Sequence, residues 1–444
     1  MQLPSQLLNS LNDLKGFNKE AFESVHASGE QVTSIRINPA KKSQIPNPKS
    51  KIPWTDYGFY LSQRPSFTFD PLFHSGCYYV QEASSMFLEQ ALTQSVDLSQ
   101  PLKVLDLCAA PGGKSTHIQS LISKDSLLVS NEVIRSRANI LKDNIIKWGC
   151  GNVMITNNDP KDFAKLENYF DIIVVDAPCS GSGLFRREPE AMEEWSLNHV
   201  QLCSHRQQRI LADVWPALKC DGILVYSTCS YSREENEDIV RWLHEFPIAK
   251  CKLQVDPDWG ITESEDGYRF WPDKVKGEGL FISCFVKTDG NKPIPIKARR
   301  QPAMVSKKDL DIIGNWADTG GWTLIKNKNT VYAWPEQLSK DFNLLLNHLR
   351  VIYSGTIIGG ILRDKLIPDH ALAMSLMKRD SINSIELTYE QAIAYLKRMD
   401  LRIETQTTGW QLVSFEKHPL GWINALPNRI NNYYPKELRI LKDK

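Results

Sequence analysis

Two cysteines carry the chemistry that this sequence suggests most clearly. Cys179 lies in DAPCSGSG and Cys229 in STCSYSREENE, each directly after an apolar stretch typical of a buried strand. A lone cysteine is usually a small buried hydrophobic residue, and we interpret most of the other cysteines in that way. A thiolate in an open crevice is, in contrast, a strong nucleophile. The two strand-end cysteines therefore predict covalent chemistry at one edge of a sheet.

A glycine-containing turn, VLDLCAAPGGKS at 104–115, precedes both cysteines. It joins an apolar strand to the start of a helix, and Gly112 and Gly113 let the backbone approach a ligand closely. The amides at a helix N-terminus favour a carboxylate or a phosphate. The spacing differs from the dinucleotide fingerprint G-x-G-x-x-G and from a Walker loop. The turn therefore indicates a cofactor site of another kind.

Acidic residues follow the next two apolar stretches. Glu132 comes after the strand-like segment 127–131, and Asp159 comes after 153–157. A carboxylate can accept hydrogen bonds from both hydroxyls of a ribose, which suits Glu132, while Asp159 is suited to an adenine amino group. Either residue could instead end a strand or cap a helix. With the glycine turn, the two carboxylates favour a cofactor that contains a nucleoside.

The elements around these residues alternate between strand and helix from residue 102. We predict strands at 103–107, 127–131, 153–157, 171–176, 222–228 and 279–287, and helices at 115–123, 134–148, 199–219 and 234–246. This alternation predicts a parallel sheet covered on both faces, in a doubly wound, Rossmann-like α/β fold. The fourth and fifth strands are expected to be neighbours, about 4.8 Å apart. Asp176, Cys179 and Cys229 would then share one crevice beside the glycine turn.

Four parts are predicted along the 444 residues, a length that exceeds one ordinary domain. A small N-terminal module covers 1–100 and contains the strand-like VTSIRINP at 32–39. The alternating sheet occupies 101–288. A segment rich in proline and basic residues forms a linker at 289–303, and a mixed α/β region follows at 304–444.

Charge and cysteine content narrow the class of protein. The net charge is +1, but residues 291–444 carry +8 and residues 1–290 carry −7. A basic C-terminal part favours a polyanion such as nucleic acid, although an ordinary solvated surface would also account for it. The nine cysteines, odd in number and without zinc-type spacing, predict reduced thiols and no metal. Because the sequence has neither a signal peptide nor an apolar run of roughly 20 residues, we expect a cytoplasmic protein without a membrane partner.

Two thiols and a carboxylate in one crevice suit methylation of a pyrimidine. Carbon 5 of the ring is a poor nucleophile, but a thiolate that adds to carbon 6 produces an enamine whose carbon 5 attacks an electrophilic methyl group. A carboxylic acid near N3 assists, and a base then removes the proton on carbon 5 so that the thiol can leave. Asp176 fits the role at N3. The residues alone do not decide which of Cys179 and Cys229 attacks.

The same motifs resemble those of a known family. DLCAAPGGK, DAPCSGSG and STCSYSREENE occur in the order found in the Nol/Nop/Sun RNA cytosine-5 methyltransferases, which use S-adenosyl-L-methionine. The resemblance extends to SIRINP (34–39), GCYYVQEASSM (76–86) and GLFISCFVK (279–287), and it covers most of 30–287. It implies a class I methyltransferase sheet and methylation of carbon 5 of a cytosine in RNA.

The resemblance also implies residue roles, position by position. Glu132 would bind the ribose, Asp159 would lie near the adenine, and Asp176 would lie between cofactor and base. Cys229 matches the nucleophile and Cys179 matches the cysteine that assists release. DNA cytosine-5 methyltransferases attack with the cysteine at the position of Cys179, so this order rests on the resemblance alone. The cofactor loop would comprise Cys108, Ala109, Ala110, Pro111, Gly112, Gly113 and Lys114, of which Lys114 is also a candidate to point toward the substrate base.

The C-terminal part resembles one branch of the family. SGTIIGGILRDKLIPDHALAMSL (354–376) and HPLGWINALPNRINNYYPKELRIL (418–441) are similar to the tail of the RsmF branch, which includes a PUA-like RNA-binding domain. That branch methylates 16S rRNA near the decoding site, which implies 16S rRNA or the small ribosomal subunit as the partner of a monomeric enzyme. Interleaved cations and aromatics suit phosphate contact and base stacking, although the aromatics could equally belong to a core. They are Arg429, Tyr433, Tyr434, Lys436 and Arg439.

Three alternatives stay open. The RNA could be tRNA rather than rRNA. A methyltransferase fold could act on a small molecule or a protein, with both cysteines merely packed in a core. A non-catalytic RNA-binding or assembly factor could also retain the fold, but the presence of Asp176, Cys179 and Cys229 argues against it.

Overall fold

The computed structural model describes most of the chain, in three parts that follow one another along the sequence. The N-terminal part precedes a large central sheet, and a C-terminal part follows it. The described residues are 3–41, 48–290, 297–298, 300–405 and 407–442.

The N-terminal part is a four-stranded antiparallel sheet with short helices on either side of it in the chain. It comprises α1 (Ser5–Leu11), α2 (Lys19–Ala27), β1 (Ser34–Ile37), β2 (Pro48–Lys51), β3 (Gly58–Leu61), α3 (Pro71–His74), β4 (Tyr78–Val80) and α4 (Leu88–Thr93). The strands pair in the order β2-β3-β1-β4. Asn18 caps α2 by accepting a hydrogen bond from the Ala21 N–H. Apolar side chains of α1 and α2 pack with Tyr231 and Trp271 of the central part in one buried cluster.

The central part is built on strands that alternate with helices. Its elements are β5 (Lys103–Asp106), α5 (Gly113–Leu121), β6 (Leu127–Asn131), α6 (Arg135–Trp148), β7 (Val153–Thr156), β8 (Phe170–Asp176), α7 (Ala191–Glu194), α8 (Leu197–Val214), β9 (Leu218–Thr228), α9 (Glu237–Leu243), β10 (Ile248–Lys250), β11 (Thr262–Glu263), β12 (Tyr268–Phe270) and β13 (Leu280–Lys287). Five strands run parallel in the order β7-β6-β5-β8-β9, and β13 adds an antiparallel strand beside β9. The fourth and fifth predicted strands, β8 and β9, are neighbours as expected.

Both faces of this sheet are buried. Successive residues of one strand belong to different apolar clusters: Val104 and Ile172 lie in one, while Leu105 and Ile173 lie in the other. Side chains alternate between the faces of a strand, so each cluster fills one face. This is the arrangement of a parallel sheet covered on both sides, and it agrees with the continuous apolar strands of the sequence.

At two of the helix boundaries that differ from the predicted ones, local backbone structure explains the difference. The helix predicted at 199–219 ends at Val214, because Pro216 has no N–H to continue it and Trp215–Ala217 forms a 3₁₀ turn. The helix predicted at 234–246 starts only at Glu237, since Arg233–Glu235 is a separate 3₁₀ turn. The remaining 3₁₀ turns are Phe67–Phe69, Ser84–Phe87, Pro160–Lys165, Ser182–Leu184, Pro257–Trp259, Glu336–Leu338 and Lys436–Leu438.

The C-terminal part contains two further four-stranded sheets. Its elements are α10 (Lys307–Ile313), β14 (Trp322–Asn327), β15 (Thr330–Pro335), α11 (Ser339–His348), β16 (Val351–Ser354), β17 (Thr356–Leu362), β18 (Lys365–Pro368), α12 (His370–Met374), β19 (Ser384–Glu386), α13 (Tyr389–Leu396), β20 (Gly409–Phe415), β21 (His418–Leu426) and β22 (Arg429–Asn432). The sheets have the orders β14-β15-β17-β18 and β19-β20-β21-β22. β16 leaves this pattern and pairs antiparallel with β7, which extends the central sheet.

Of the predicted linker at 289–303, residues 291–296 and 299 lie outside the described residues. No helix in the described ranges combines the length and apolar character that a bilayer crossing requires.

Candidate functional site

Loops at the carboxyl ends of β5, β6, β8 and β9 surround a cavity of about 480 Å³. Its volume is in the range of small-molecule sites. In doubly wound sheets, ligands bind at this edge, where the strand order reverses. β5 is that reversal point here, because its neighbours are β6 and β8. Six of the predicted site residues line the cavity, namely Cys108, Ala110, Glu132, Asp176, Cys179 and Cys229.

The glycine turn is anchored to the helix that follows β6. Gly112 precedes α5 with a φ of +117°, a conformation that favours glycine. Arg137 of α6 donates to the carbonyl of Ala110 over 2.8 Å, and Asn144 donates to the carbonyl of Pro111 over 2.8 Å. Two side chains of α6 thus hold the turn against the cavity.

Asp106, the last residue of β5, ties the strand to the helix after the turn. The hydroxyl of Ser115 in α5 donates to its carboxylate over 2.6 Å. Burial raises the pKa of Asp106 to about 7, and the Ser115 hydrogen bond opposes the rise. This hydrogen bond holds the end of β5 and the start of α5 together on the two sides of the turn.

Glu132 is almost completely shielded from bulk solvent, but it lines the cavity. It accepts a hydrogen bond from the Ile134 N–H over 2.9 Å, and Arg137 lies 3.6 Å away. The apolar Val133 and Ile134 beside it are about half exposed, at 56% and 49%. A carboxylate next to apolar surface suits a ribose that is attached to a base.

Asp159 has another kind of environment. It caps the short helix Pro160–Lys165 by accepting a hydrogen bond from the Lys161 N–H over 3.3 Å, and it pairs with Arg209 over 3.4 Å. The helix cap that the sequence leaves open as an alternative is therefore present. Pro160, rather than Asp159, lines the cavity.

The two cysteines meet although 50 positions separate them. The Sγ atoms of Cys179 and Cys229 are 3.0 Å apart, within hydrogen-bonding distance. The hydrogen bond with Cys229, together with burial, raises the pKa of Cys179 well above its ordinary value. Two thiols this close share protons, so that one can be a thiolate while the other stays protonated.

An ion pair lies beside the thiols. Lys114 Nζ is 2.8 Å from a carboxylate oxygen of Asp176, whose other oxygen accepts a hydrogen bond from the Ser227 hydroxyl over 2.8 Å. Burial favours a lower pKa for Lys114, but Asp176, Asp106 and Cys229 outweigh it and raise that pKa. Lys114 is therefore a permanent cation that fixes Asp176 at the cavity.

The two cysteine loops touch each other directly. The N–H of Gly183 donates to the carbonyl of Cys229 over 2.7 Å. A Cβ at position 183 would lie 2.3 Å from that oxygen, a distance that no side chain allows. The second glycine of the GSG segment is thus required by the close approach of the Cys229 loop.

Arg36 is a residue of the site region to which the sequence assigned no role. It is fully buried, and its guanidinium donates to Thr116 Oγ1 over 2.6 Å and to the carbonyl of Gly113 over 3.3 Å. It also donates to Gln81 over 2.8 Å and lies 4.5 Å from the ring centre of Trp148. The sequence signal for Arg36 was its place in the SIRINP motif. The motif does not predict which residues Arg36 contacts, because α5 lies far from it along the chain.

Two cations that line the cavity were also missed. Arg206 and Arg209 lie on the exposed side of α8 and reach the cavity from there. Charged residues on an exposed helix face are common, so the sequence carried no signal that set these two apart.

Comparison with known proteins identifies the family of this chain. Family models match it as 16S rRNA methyltransferase RsmB/F at residues 94–286, as the N-terminal domain of 16S rRNA methyltransferase RsmF at 3–83, and as the methyltransferase RsmF PUA domain at 382–440. Ribosomal RNA small subunit methyltransferase F of Shewanella piezotolerans is 30% identical over 439 residues, which cover 93% of this chain and 91% of that protein. The chain belongs to this family.

Further relatives agree with the family. The methyltransferase F of Escherichia coli O157:H7 is 30% identical and is aligned over 91% of this chain and 90% of its own length. A solved methyltransferase homolog from Pyrococcus horikoshii is 27% identical with a TM-score of 0.51, and the match covers 64% of this chain and 100% of that one. The expected methyltransferase fold, with its N-terminal and PUA domains, is confirmed.

Two adjacent tyrosines of the PUA domain, Tyr433 and Tyr434, differ in their exposure to solvent. Tyr434 is buried, and its ring lies 5.4 Å from that of Tyr395 in the domain core. It is therefore not available for base stacking, in contrast to the expectation for the interleaved cations and aromatics. Tyr433 is 43% exposed and lies against Trp410, with 4.3 Å between ring centres. Of the two adjacent tyrosines, one therefore belongs to the core and the other lies at the surface.

Proposed function

We propose that this family member transfers a methyl group from S-adenosyl-L-methionine to carbon 5 of a cytosine in RNA. Cys229 acts as the nucleophile, Cys179 assists its release, and Asp176 contacts the base. The observation that carries the proposal is the 3.0 Å contact of the two thiols at the cavity that begins at the glycine turn. A core cysteine pair would not need an adjoining cavity with the Lys114–Asp176 ion pair beside it.

The residues around the cavity suit the cofactor. Glu132 can accept hydrogen bonds from the ribose hydroxyls, and Val133 and Ile134 offer apolar surface to an adenine. The start of α5 after Gly112 favours the carboxylate of the amino acid portion. We keep Asp159 as the partner of the adenine amino group because its neighbour Pro160 lines the cavity. When bound, S-adenosyl-L-methionine supplies an electrophilic methyl group.

The thiolate of Cys229 begins the reaction by adding to carbon 6 of the cytosine. N3 takes up a proton as the thiolate adds and donates it in a hydrogen bond to the Asp176 carboxylate, so that no negative charge builds up on the ring, and N3 gives this proton up again when the base is released. Lys114 keeps Asp176 in place. The electron pair that reaches carbon 5 then forms the bond to the methyl group, whose bond to the sulfur of the donor breaks with its electron pair left on that sulfur. Carbon 5 now carries both a methyl group and a proton.

Cys179 completes the reaction by taking that proton. The neighbouring Cys229 raises the pKa of Cys179 in the free enzyme, so Cys179 starts as a thiol. Once Cys229 is bound to carbon 6, this influence is lost, and Cys179 can release its proton to solvent. Its thiolate then accepts the proton from carbon 5, the double bond between carbons 5 and 6 re-forms, and Cys229 leaves as a thiolate. One proton is released per methyl group transferred.

We propose 16S rRNA, within or on the way to the small ribosomal subunit, as the substrate. The relatives are named ribosomal RNA small subunit methyltransferase F, and the C-terminal residues 291–444 carry a net charge of +8. Because the target ring must enter the cavity, the base has to be unstacked, and a separate RNA-binding part can supply the affinity for that. This substrate implies a cytoplasmic enzyme, which we expect to act as a monomer. We retain the division into parts 1–100, 101–288, 289–303 and 304–444 for this function.

Covalent trapping tests the chemistry. With 16S rRNA and S-adenosyl-L-methionine, Cys229→Ala is expected to transfer no methyl group, because the nucleophile is missing. Cys179→Ala is expected to accumulate a protein–RNA adduct that resists denaturing electrophoresis, because release is blocked. Cys203→Ala, which removes a buried cysteine of α8 outside the pair, serves as the control. Absence of an adduct in Cys179→Ala, or full activity of Cys229→Ala, would reject the mechanism.

Mapping of cellular RNA tests the substrate. Bisulfite sequencing of RNA from cells with and without the gene is expected to show one 5-methylcytosine of 16S rRNA that depends on the protein. A dependent site in tRNA instead would favour the tRNA alternative. No dependent site, together with no transfer of labelled methyl to RNA in vitro, would favour a non-catalytic assembly factor.

A further inference from the structure

A buried carboxylate lies beneath the two cysteine loops. One oxygen of Glu235 accepts hydrogen bonds from the hydroxyls of Ser180 and Ser230, each over 2.5 Å. The other oxygen accepts from the N–H of Ser180 over 2.8 Å and from the side-chain amide of Gln207 over 3.2 Å. Glu235 has 0% exposure. Burial of a carboxylate costs free energy unless hydrogen-bond donors surround it, so the fold depends on these contacts.

The two serines are the residues that directly follow the two cysteines. A single carboxylate therefore holds the residue after Cys179 and the residue after Cys229, although these lie in loops that follow different strands. Any movement of one loop relative to the other would break a hydrogen bond to Glu235. The carboxylate thus ties together the two loops whose thiols lie 3.0 Å apart.

Glu235 itself is held in place by the surrounding elements. The hydroxyl of Tyr226 in β9 donates to its carbonyl over 2.6 Å. Gln207 of α8 donates both to the Glu235 carboxylate and to the carbonyl of Pro178 over 3.1 Å, directly before the first cysteine. Strand β9 and helix α8 therefore fix the carboxylate, and the carboxylate fixes the loops.

We propose that Glu235 is a positioning residue that keeps Cys179 and Cys229 at the separation the methylation chemistry needs. It acts through Ser180 and Ser230, since it does not line the cavity itself. The proposal deepens the proposed function and rests on it as far as catalysis is concerned. The sequence contained the signal, a C-S pair in each motif and a glutamate six residues after Cys229, but it could not show that both serines reach the same carboxylate.

Turnover measurements separate positioning from stability. Glu235→Ala removes the tether, and a misplacement of about 1 Å can cost about 100-fold in rate, so we expect kcat to fall about 100-fold. KM for RNA and for S-adenosyl-L-methionine should stay within about 3-fold, because Glu235 touches neither. In Glu235→Gln the amide oxygen can accept from Ser180 N–H and Gln207, and its NH₂ can donate to the rotated hydroxyls. We therefore expect this variant to recover kcat to within about 10-fold of the wild type.

The control removes another buried carboxylate. Asp309→Ala deletes a capping residue of α10, 8% exposed, that pairs with Lys326 and is remote from both cysteine loops. All rates are measured below the unfolding transition of each variant. A kcat of Glu235→Ala within about 3-fold of that of Asp309→Ala would overturn the proposal. If Glu235→Ala does not fold, Ser230→Ala removes one tether alone, and wild-type kcat in that variant would overturn the proposal equally.

A crosslinking assay reads the separation of the thiols without any methylation. Diamide takes two electrons and two protons from the thiols of Cys179 and Cys229 and is reduced to a hydrazine, while a disulfide forms. Because this bond requires close and well-oriented sulfurs, we expect its rate, followed by mass spectrometry, to fall about 10-fold in Glu235→Ala and to stay unchanged in Asp309→Ala. An unchanged rate in Glu235→Ala would overturn the proposal. A slower rate in a protein that makes no 5-methylcytosine would support the role of Glu235 and reject the proposed function.

Discussion

At the scale of single residues, the site depends on groups that control each other's charge. Lys114 and Asp176 form an ion pair at 2.8 Å, and the thiols of Cys179 and Cys229 lie 3.0 Å apart. Each partner shifts the pKa of the other, because water screens charges only weakly in a partly buried site. Ordinary side chains therefore supply the nucleophile, the proton acceptor and the fixed carboxylate that the proposed reaction needs.

Replacement of the carboxylate tests this residue-scale account. Asp176→Asn keeps the shape and the contact with the Ser227 hydroxyl but removes the charge that acts on N3 and pairs with Lys114. General acid–base groups contribute about 10²–10⁴-fold to rates, so we expect kcat to fall in that range while cofactor affinity changes much less. Single-turnover methyl transfer and a cofactor titration measure the two effects. Ser227→Ala keeps the carboxylate and is the control; equal rates for the two variants would contradict the role of Asp176.

At the scale of elements, the N-terminal module helps to build the proposed cofactor site. Strand β1 supplies Arg36, whose guanidinium donates to Gly113 and Thr116 in the first turn of α5. A buried cation without a carboxylate partner is expensive, and desolvation lowers the pKa of Arg36 to about 9. Its hydrogen bonds to carbonyls and to Gln81, with the Trp148 ring, compensate for that cost. The glycine turn thus depends on a strand of a different sheet.

Removal of this guanidinium should loosen the cofactor loop. Arg36→Met fills similar space but leaves the buried side-chain oxygen of Gln81 without its donor and removes the hydrogen bonds to Gly113 and Thr116, and an unpaired buried group costs about 1–3 kcal/mol. We expect the free energy of unfolding to fall by about 2–4 kcal/mol and cofactor affinity to fall about 10-fold. Denaturant unfolding and calorimetric titration test both. Arg64→Met, which alters an exposed arginine of the same module, should change neither; unchanged affinity in Arg36→Met would argue against the link.

At the scale of the whole molecule, the C-terminal part is joined to the methyltransferase sheet rather than tethered loosely. Strand β16 pairs with β7, and helix α12 packs against α6 on one side and against β17 and β21 on the other. His370 of α12 is half-buried, with both ring nitrogens shielded from solvent, and it lies near Tyr434, with 5.6 Å between ring centres. An RNA bound to the C-terminal part would therefore be held in a fixed relation to the cavity.

Acid should weaken this packing through His370. Burial, followed by the nearby Lys41 and Lys147, lowers the pKa of His370 to about 3, so the folded protein keeps it neutral while the unfolded chain takes up a proton below about 6.5. The free energy of unfolding therefore contains no penalty from His370 above that pH, and it falls as the pH is lowered below it. Relative to His370→Phe, the wild type should lose about 2 kcal/mol of unfolding free energy between pH 7.5 and pH 5. Urea unfolding at both pH values measures this, and His205→Phe, an exposed histidine of α8, is the control. Parallel pH dependence of wild type and His370→Phe would contradict the assignment.

Much of the fold and part of the site followed from local patterns. The parallel sheet was predictable because each strand carries its own apolar signature, and strand order follows from the connections between neighbours. The meeting of Cys179 with Cys229 was predictable for the same reason, since both leave adjacent strands at the same edge. The sequence left the attacking cysteine undecided, because both thiols have similar flanking residues.

By itself, the sequence determined the sheet, the glycine turn and the edge at which the chemistry-bearing residues gather. Only the tertiary structure decided that Asp159 caps a helix, that Tyr434 belongs to a core, and that β16 joins the central sheet. It also decided that Arg36 supports α5 and that Glu235 lies beneath both cysteine loops. The reason is physical: periodicity reports which residues are buried, whereas partners of a buried polar group lie far away in the sequence and are selected by the packing of the whole chain.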